Sequence, residues 1–187
     1  MIHSSEPFGT LSASAQAQLD AVGAVWATDI NKHRDLVVKT YSPLVQETDN
    51  SGIEVLRDLQ YGEDERHRLD VYTRSEFIKT EEPPRDVLMF FHGGAFIRGN
   101  KSANGAIYDN VSYWFAHQGC VAVNVEYRLA PQAPYPGGAE DVIAAVRWVQ
   151  RNITLFGGNV QRIFLVGHSA GGSHVAGALF DPAVPDR

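Results

Sequence analysis

Three apolar runs of strand length, separated by stretches of helical spacing, constrain this chain more than any other feature. They are Val87-Leu88-Met89-Phe90-Phe91, Val121-Ala122-Val123-Asn124-Val125 and Ile163-Phe164-Leu165-Val166. Runs with so little polar alternation are what strands buried on both faces require. Between them, 106–117 and 138–151 have helix-like texture, the second with Val142, Ala145, Val146 and Val149 on one face. Strand, helix, strand, helix, strand implies the α/β class, a mostly parallel sheet with helical crossovers. Upstream, 53–61 and 68–73 read as two more strands joined by the charged stretch 62–67, and Glu81-Glu82-Pro83-Pro84 breaks the chain before the first run. Residues 1–50 read as a helical prelude, with Leu19, Val22, Val25, Trp26 and Ile30 at helical spacing and an N-cap at Ser12 or Ser14. Asp49-Asn50-Ser51-Gly52 marks a turn, so the chain divides into a helical segment, 1–52, and an α/β segment, 53–187.

In an open parallel sheet, ligands sit beyond the carboxyl ends of the strands. The third run leads into Gly167-His168-Ser169-Ala170-Gly171-Gly172, a G-x-S-x-G pattern with a strand before it and a helix-compatible segment, 173–180, behind it. Gly167 and Gly171 permit a tight turn that projects the Ser169 hydroxyl above the sheet, which makes Ser169 the candidate nucleophile. The first run ends in His92-Gly93-Gly94-Ala95-Phe96. This matches the loop that supplies oxyanion donors in esterases and lipases, with Ala95 in place of a third glycine. Small residues are needed there because backbone N–H groups must reach a developing alkoxide. Gly94, Ala95 and Ala170 are the donor candidates, each worth about 2.7–4 kcal/mol of transition-state stabilisation. Gly93 supports the loop, and His92 is expected to anchor it by hydrogen bonding without transferring protons. The stretch 94–102 nearly spells a phosphate loop, but Asn100 separates Gly99 from Lys101, so nucleotide binding is rejected. No metal and no cofactor is expected.

Together with Glu126-Tyr127-Arg128-Leu129-Ala130-Pro131, Tyr135-Pro136, Glu140-Asp141-Val142, Phe156-Gly157-Gly158 and Arg162-Ile163, these motifs resemble the hormone-sensitive-lipase-like esterases of the α/β-hydrolase fold. The related feruloyl/acetyl esterase-like branch is similar to the same degree, over roughly residues 53–180, and His168 stands where many lipase-like members carry Asp. The resemblance implies a serine hydrolase acting on carboxylic esters. It also implies that residues 127–131 shape the floor near the site and that Glu140-Asp141 anchors the start of the following helix, where carboxylates suit the helix dipole. An amide or formamide hydrolase resembling kynurenine formamidase is the runner-up. A non-catalytic ligand-binding protein, as in gibberellin receptors, is the third reading.

Serine at its free pKa needs a base that is itself oriented by a carboxylate. In this fold the triad runs Ser, then acid, then His. After Ser169 the acids are Asp181 and Asp186, and the only histidine, His174, precedes both. On a helix, His174 would point away from the hydroxyl. His168 faces elsewhere and His117 lies near a helix end, so no base is identified. By resemblance, strand 163–166 is central in an eight-stranded sheet, whereas here it would be a bare apolar edge, which native proteins avoid. The chain is therefore expected to be the N-terminal part of a longer hydrolase, or to be completed by a second chain.

Composition narrows the partners. With 187 residues, 44% hydrophobic and 20% charged, the chain is an ordinary globular one. A net charge of −6 gives no field for attracting nucleic acid or anionic membrane, which leaves a small-molecule ester or amide as the expected substrate. No signal-like start or spanning run is present, and Cys120 is the single cysteine, so a cytoplasmic setting without disulfides is expected.

Overall fold

The computed structural model describes residues 11–78 and 83–184, so Glu81, Glu82 and Asp186 lie outside the described residues. Two compact units, Met1–Asn50 and Ser51–Arg187, divide the chain. In the first, α1 (Ala13–Val25) and α2 (Ile30–Gln46) flank a 3₁₀ turn, Trp26–Thr28. The Ser12 hydroxyl accepts the Ala15 N–H at 3.2 Å, and the Asp29 carboxylate accepts the Lys32 N–H at 3.0 Å. Each helix start thus gains a partner for a backbone donor that has no carbonyl within the helix. Ser14 lies inside α1 and hydrogen-bonds Ser12, which settles the N-cap as Ser12.

The second unit holds β1 (Ile53–Gln60), β2 (Arg68–Arg74), β3 (Arg85–Phe91), α3 (Asp109–His117), β4 (Val121–Val125), α4 (Gly137–Asn152), β5 (Gly158–Gly167) and α5 (Ala170–Phe180). The strands form one sheet in the order β1-β2-β4-β3-β5. β1 pairs with β2 and β2 with β4 antiparallel, whereas β3 runs parallel to both β4 and β5. The crossovers through α3 and α4 are those expected from the alternating texture. α3 begins three residues later than the spacing predicts, because Ala103 and Ile107 first close a short bridge.

One face of the sheet packs Leu69, Val71, Val87, Met89, Val121, Val123 and Val125 against Val142, Ala145 and Val149 of α4 and Val175 and Ala178 of α5. The other face gathers Tyr72 and Ala122 with Ala116 of α3. Burial on both faces, predicted for all three apolar runs, holds for β4 and for the apolar part of β3. β5 differs. It is an edge strand, paired among the described residues only with β3, and Phe164 and Val166 keep 49% and 36% exposure. Among the described residues no helix is long and apolar enough to cross a membrane.

Register decides what these elements position. Phe91 lies opposite Val125 of β4 and opposite Gly167 of β5. The three parallel strands therefore end level, and the segments starting at His92, Glu126 and His168 emerge side by side.

His174 on α5 shows how tightly this end is packed. Its ring sits 4.9 Å from that of Tyr127 and 5.3 Å from that of Phe96, and its Nε2 has no hydrogen-bond partner among the described residues. Burial pushes its pKa below the ordinary 6.5, with Asp141 opposing and His92 reinforcing the shift. The unfolded chain then binds a proton near pH 6.5 that the native state refuses. Native stability falls as pH drops from about 6.5 through the lower folded value. Urea unfolding at pH 7.5 and 5.5 is expected to show a smaller acid-induced loss for His174→Phe than for the wild type.

Candidate active site

Ser169 sits between β5 and α5 with φ 53° and ψ −117°, a conformation that costs an L-residue roughly 1–3 kcal/mol. The turn is held from both sides. The His168 N–H donates to the Phe91 carbonyl at 3.0 Å, and the Gly171 N–H donates to the His168 carbonyl at 3.0 Å. A Cβ on Gly171 would collide with the carbonyls of Phe91 and His92, so only glycine lets α5 start this close to the end of β3. Ala170 is the first residue of α5, where helix geometry leaves the N–H without an intrahelical carbonyl. Gly167 approaches Gly171 and Gly172 so closely that a Cβ there would also clash.

The loop after β3 turns on itself beside that elbow. The Gly94 carbonyl accepts the N–H groups of Arg98 at 3.0 Å and Ile97 at 3.3 Å. Gly94, Ala95 and Phe96 all have positive φ, at 153°, 52° and 68°. Among the described residues no carbonyl takes the N–H of Gly94 or of Ala95. The Phe96 carbonyl accepts the Ala130 N–H at 2.9 Å, tying this loop to the segment that follows β4. The His168 ring lies against Gly93, where a Cβ would come 2.5 Å from Nδ1. The two glycine motifs, 75 residues apart, are thus in direct contact.

His92 is fully buried. Its ring stacks on Tyr127 at 4.2 Å, its Nδ1 is 2.8 Å from the Gly93 carbonyl, and the Tyr127 hydroxyl donates to the His92 carbonyl at 2.6 Å. The ring therefore braces the loop from inside. Arg128 donates to Asp141 through its backbone N–H at 2.7 Å and through Nη2 at 2.6 Å, and His67 Nε2 reaches the same carboxylate at 3.1 Å. Glu140 is the weaker partner of Arg128, at 3.4 Å and on the surface.

Of the histidines weighed as bases, His168 turns its Nδ1 to the Tyr108 hydroxyl at 3.1 Å, His174 is packed under Gly138, and His117 ends α3. Among the described residues none hydrogen-bonds the Ser169 hydroxyl. The sequence reading missed Tyr108, which adopts φ 75° at the start of α3 and reaches the elbow through His168. Nothing in its sequence neighbourhood marks it. It also missed a polar cluster on the α3 side of the sheet. There Arg57 bridges Asp70 at 2.8 Å and Asp109 at 2.5 Å, and Tyr72 donates to Asp109 at 2.7 Å. Burial opposes the Arg57 cation, but the hydrogen bonds to Asp109 and Asp70 outweigh it and raise its pKa, while burial and Asp109 raise that of Tyr72.

The family model described as alpha/beta hydrolase fold matches residues 88–180, the span that holds both glycine motifs. This chain has the α/β-hydrolase fold. A similar protein, Esterase LipC of Mycobacterium tuberculosis, is 35% identical over 116 residues, which are 62% of this chain and 27% of that protein. Human Carboxylesterase 3 is 37% identical over 123 residues, covering 61% of this chain and 20% of its own. Among solved structures, a bacterial heroin esterase superposes with a TM-score of 0.63 at 26% identity over 87% of this chain and 51% of that one. Esterase B of Lactobacillus rhamnosis shares the fold with a TM-score of 0.62 at 24% identity, over 89% and 49%. The chain thus spans about a quarter of the curated relatives' length and about half that of the solved ones.

The close approach at Gly171 gives a direct check. Gly171→Ala is expected to lower stability by about 1–3 kcal/mol in urea unfolding, because backbone carbonyls cannot yield to the new methyl group. Gly105→Ser, where a Cβ meets nothing within 4 Å, should lose only the smaller strain of its positive φ.

Proposed function

We propose that this hydrolase cleaves carboxylic esters through an acyl-enzyme on Ser169, with the N–H groups of Gly94, Ala95 and Ala170 as its oxyanion donors. The observation that carries this reading is the strained Ser169 turn packed directly against the His92–Phe96 loop, where two backbone donors have no carbonyl partner among the described residues. Relatives named esterases and carboxylesterases support it.

In the proposed reaction the Ser169 hydroxyl oxygen bonds to the ester carbonyl carbon while a base removes its proton. The carbonyl electron pair moves onto oxygen, where the donors hold it at little reorganisation cost. Collapse of this intermediate breaks the bond to the alcohol oxygen, which leaves with the proton. Water then attacks the acyl-serine in the same manner and releases the acid. The base and its orienting carboxylate are assigned to positions other than His92, His117, His168 and His174, since each of these rings is occupied elsewhere or remote from the hydroxyl. Arg128, held by Asp141, and Tyr127, bonded to the His92 carbonyl, keep the floor of the site rigid.

A diffusible base tests the serine and its oxyanion donors by themselves. Incubated with a fluorophosphonate and imidazole, the chain is expected to be phosphonylated on Ser169 faster by about 10³ than a free serine peptide, the share that oxyanion donors and binding supply on their own. The Ser169 oxygen bonds to phosphorus, fluoride leaves, and imidazole takes the proton. Ser169→Ala should abolish the labelled peptide in mass spectrometry. Labelling spread over other hydroxyls at comparable rates would refute the assignment. Release of nitrophenol from p-nitrophenyl acetate, against turnover of N-formylkynurenine, separates ester from formamide chemistry.

A further inference from the structure

The loop bearing Gly94 and Ala95 is tied down at its far end by charges that the proposed chemistry does not use. The Lys101 side chain is only 12% exposed, and its ammonium lies 2.8 Å from Asp58 and 2.9 Å from Asp70. Its backbone N–H donates to Glu126 at 2.7 Å, and its carbonyl accepts from the Asn124 side chain at 2.5 Å. Two residues earlier, the Gly99 carbonyl accepts from Arg66 Nη2 at 2.9 Å. That same guanidinium pairs with Glu126 and donates through Nε to the Tyr127 carbonyl at 2.8 Å. Glu126 Oε1 also lies 3.6 Å from His92 Nε2, so one carboxylate touches the start of the loop and, through Lys101, its end.

The supporting residues are built for reach. β1 shifts register between Leu56 and Leu59, and Asp58 takes φ 55° in that bulge, with its N–H donating to Asp70 at 2.8 Å. A bulge of this kind re-aims a side chain, and here it delivers a largely exposed aspartate to Lys101. Asp70 and Asn124 are cross-strand partners on β2 and β4, so two of the four groups that hold Lys101 rise from adjacent positions in the sheet. Burial works against the Lys101 cation, but the hydrogen bonds to Asp58 and Asp70 outweigh it and raise the pKa, so the ammonium stays charged at neutral pH.

We propose that Lys101 and Glu126 are positioning residues that set the height of the Gly94 and Ala95 donors above Ser169. Between Phe91, fixed in β3, and Gly99, fixed by Arg66, only seven residues intervene, and their one internal turn is closed by Gly94 itself. A shift at Gly99–Lys101 therefore passes directly to the donors. Misplacing a catalytic group by about 1 Å costs on the order of 10²-fold in rate. The catalytic meaning of this clamp rests on the esterase reading; its mechanical meaning does not.

Hydrogen exchange and Ser169 phosphonylation with imidazole, measured on the same protein, test the two separately. Lys101→Met is expected to raise amide exchange at 94–101 about tenfold while α4 and β4 stay protected, the signature of a local opening. It should also slow the saturating rate of phosphonylation about 10- to 100-fold while leaving the probe concentration for half-saturation near the wild-type value. Lys101→Arg, which retains a cation able to meet both aspartates, should recover most of each loss. Asp58→Asn removes only the exposed partner and should give a smaller effect confined to the same loop, so the test survives if Lys101→Met fails to fold. Unchanged exchange at 94–101 in Asp58→Asn and in a folded Lys101→Met would overturn the clamp. If wild-type Ser169 never reacts but loop exchange responds as stated, the clamp stands and the esterase reading falls.

Discussion

The level ending of β3, β4 and β5 is the constraint on which the site depends. Parallel pairing puts Phe91, Val125 and Gly167 in one row across the sheet. The backbone then turns upward at three adjacent points, and each turn carries one part of the site. Had either pairing slipped by one residue, every side chain of that strand would have exchanged faces. The apolar residues of β3 and β4 oppose such a slip, because Met89 and Val123 would leave the α4 side for the α3 side.

The α3 side of the sheet makes a different trade. Asp70 and Asn124 are fully buried there, and Arg57, Lys101, Asp58 and Asp109 complete a connected ionic cluster. Taking such charges from water offsets much of their mutual attraction, so clusters of this kind add little net stability compared with apolar packing. Their geometry is nevertheless sharply defined, since a carboxylate has few ways to satisfy two cations and a backbone N–H at once. The antiparallel pair β1 and β2, far from Ser169 in sequence, thereby acquires a hold on the loop after β3.

Much of the fold was legible. The three apolar runs became β3, β4 and β5, Ser12 became the cap of α1, and the glycine motifs stand where strands end. The contribution of His92 as an internal brace could be anticipated from motif context, whereas Asp141, expected to anchor the start of α4, is found bonded to Arg128. Illegible were the features that depend on a partner distant in sequence. Asp70 reads as the polar half of an alternating strand, yet it is buried because α3 covers that face. Tyr108 reads as one more aromatic within the helix-like stretch 106–117, and only the contact of its hydroxyl with His168 places it at the elbow. Lys101 reads as a displaced phosphate-loop lysine, whereas its ammonium is held between two carboxylates.

The sequence by itself determined the α/β class, the order of elements and the two glycine turns, because strand texture, helix period and glycine's freedom at positive φ are properties of short segments. Tertiary structure alone decided which residues meet across the sheet. It placed Gly93 under His168 and Gly171 under the end of β3, and closed the ionic cluster around Asp70. Those contacts depend on register and on helix placement over distances of 30 to 80 residues. Local composition carries no record of them.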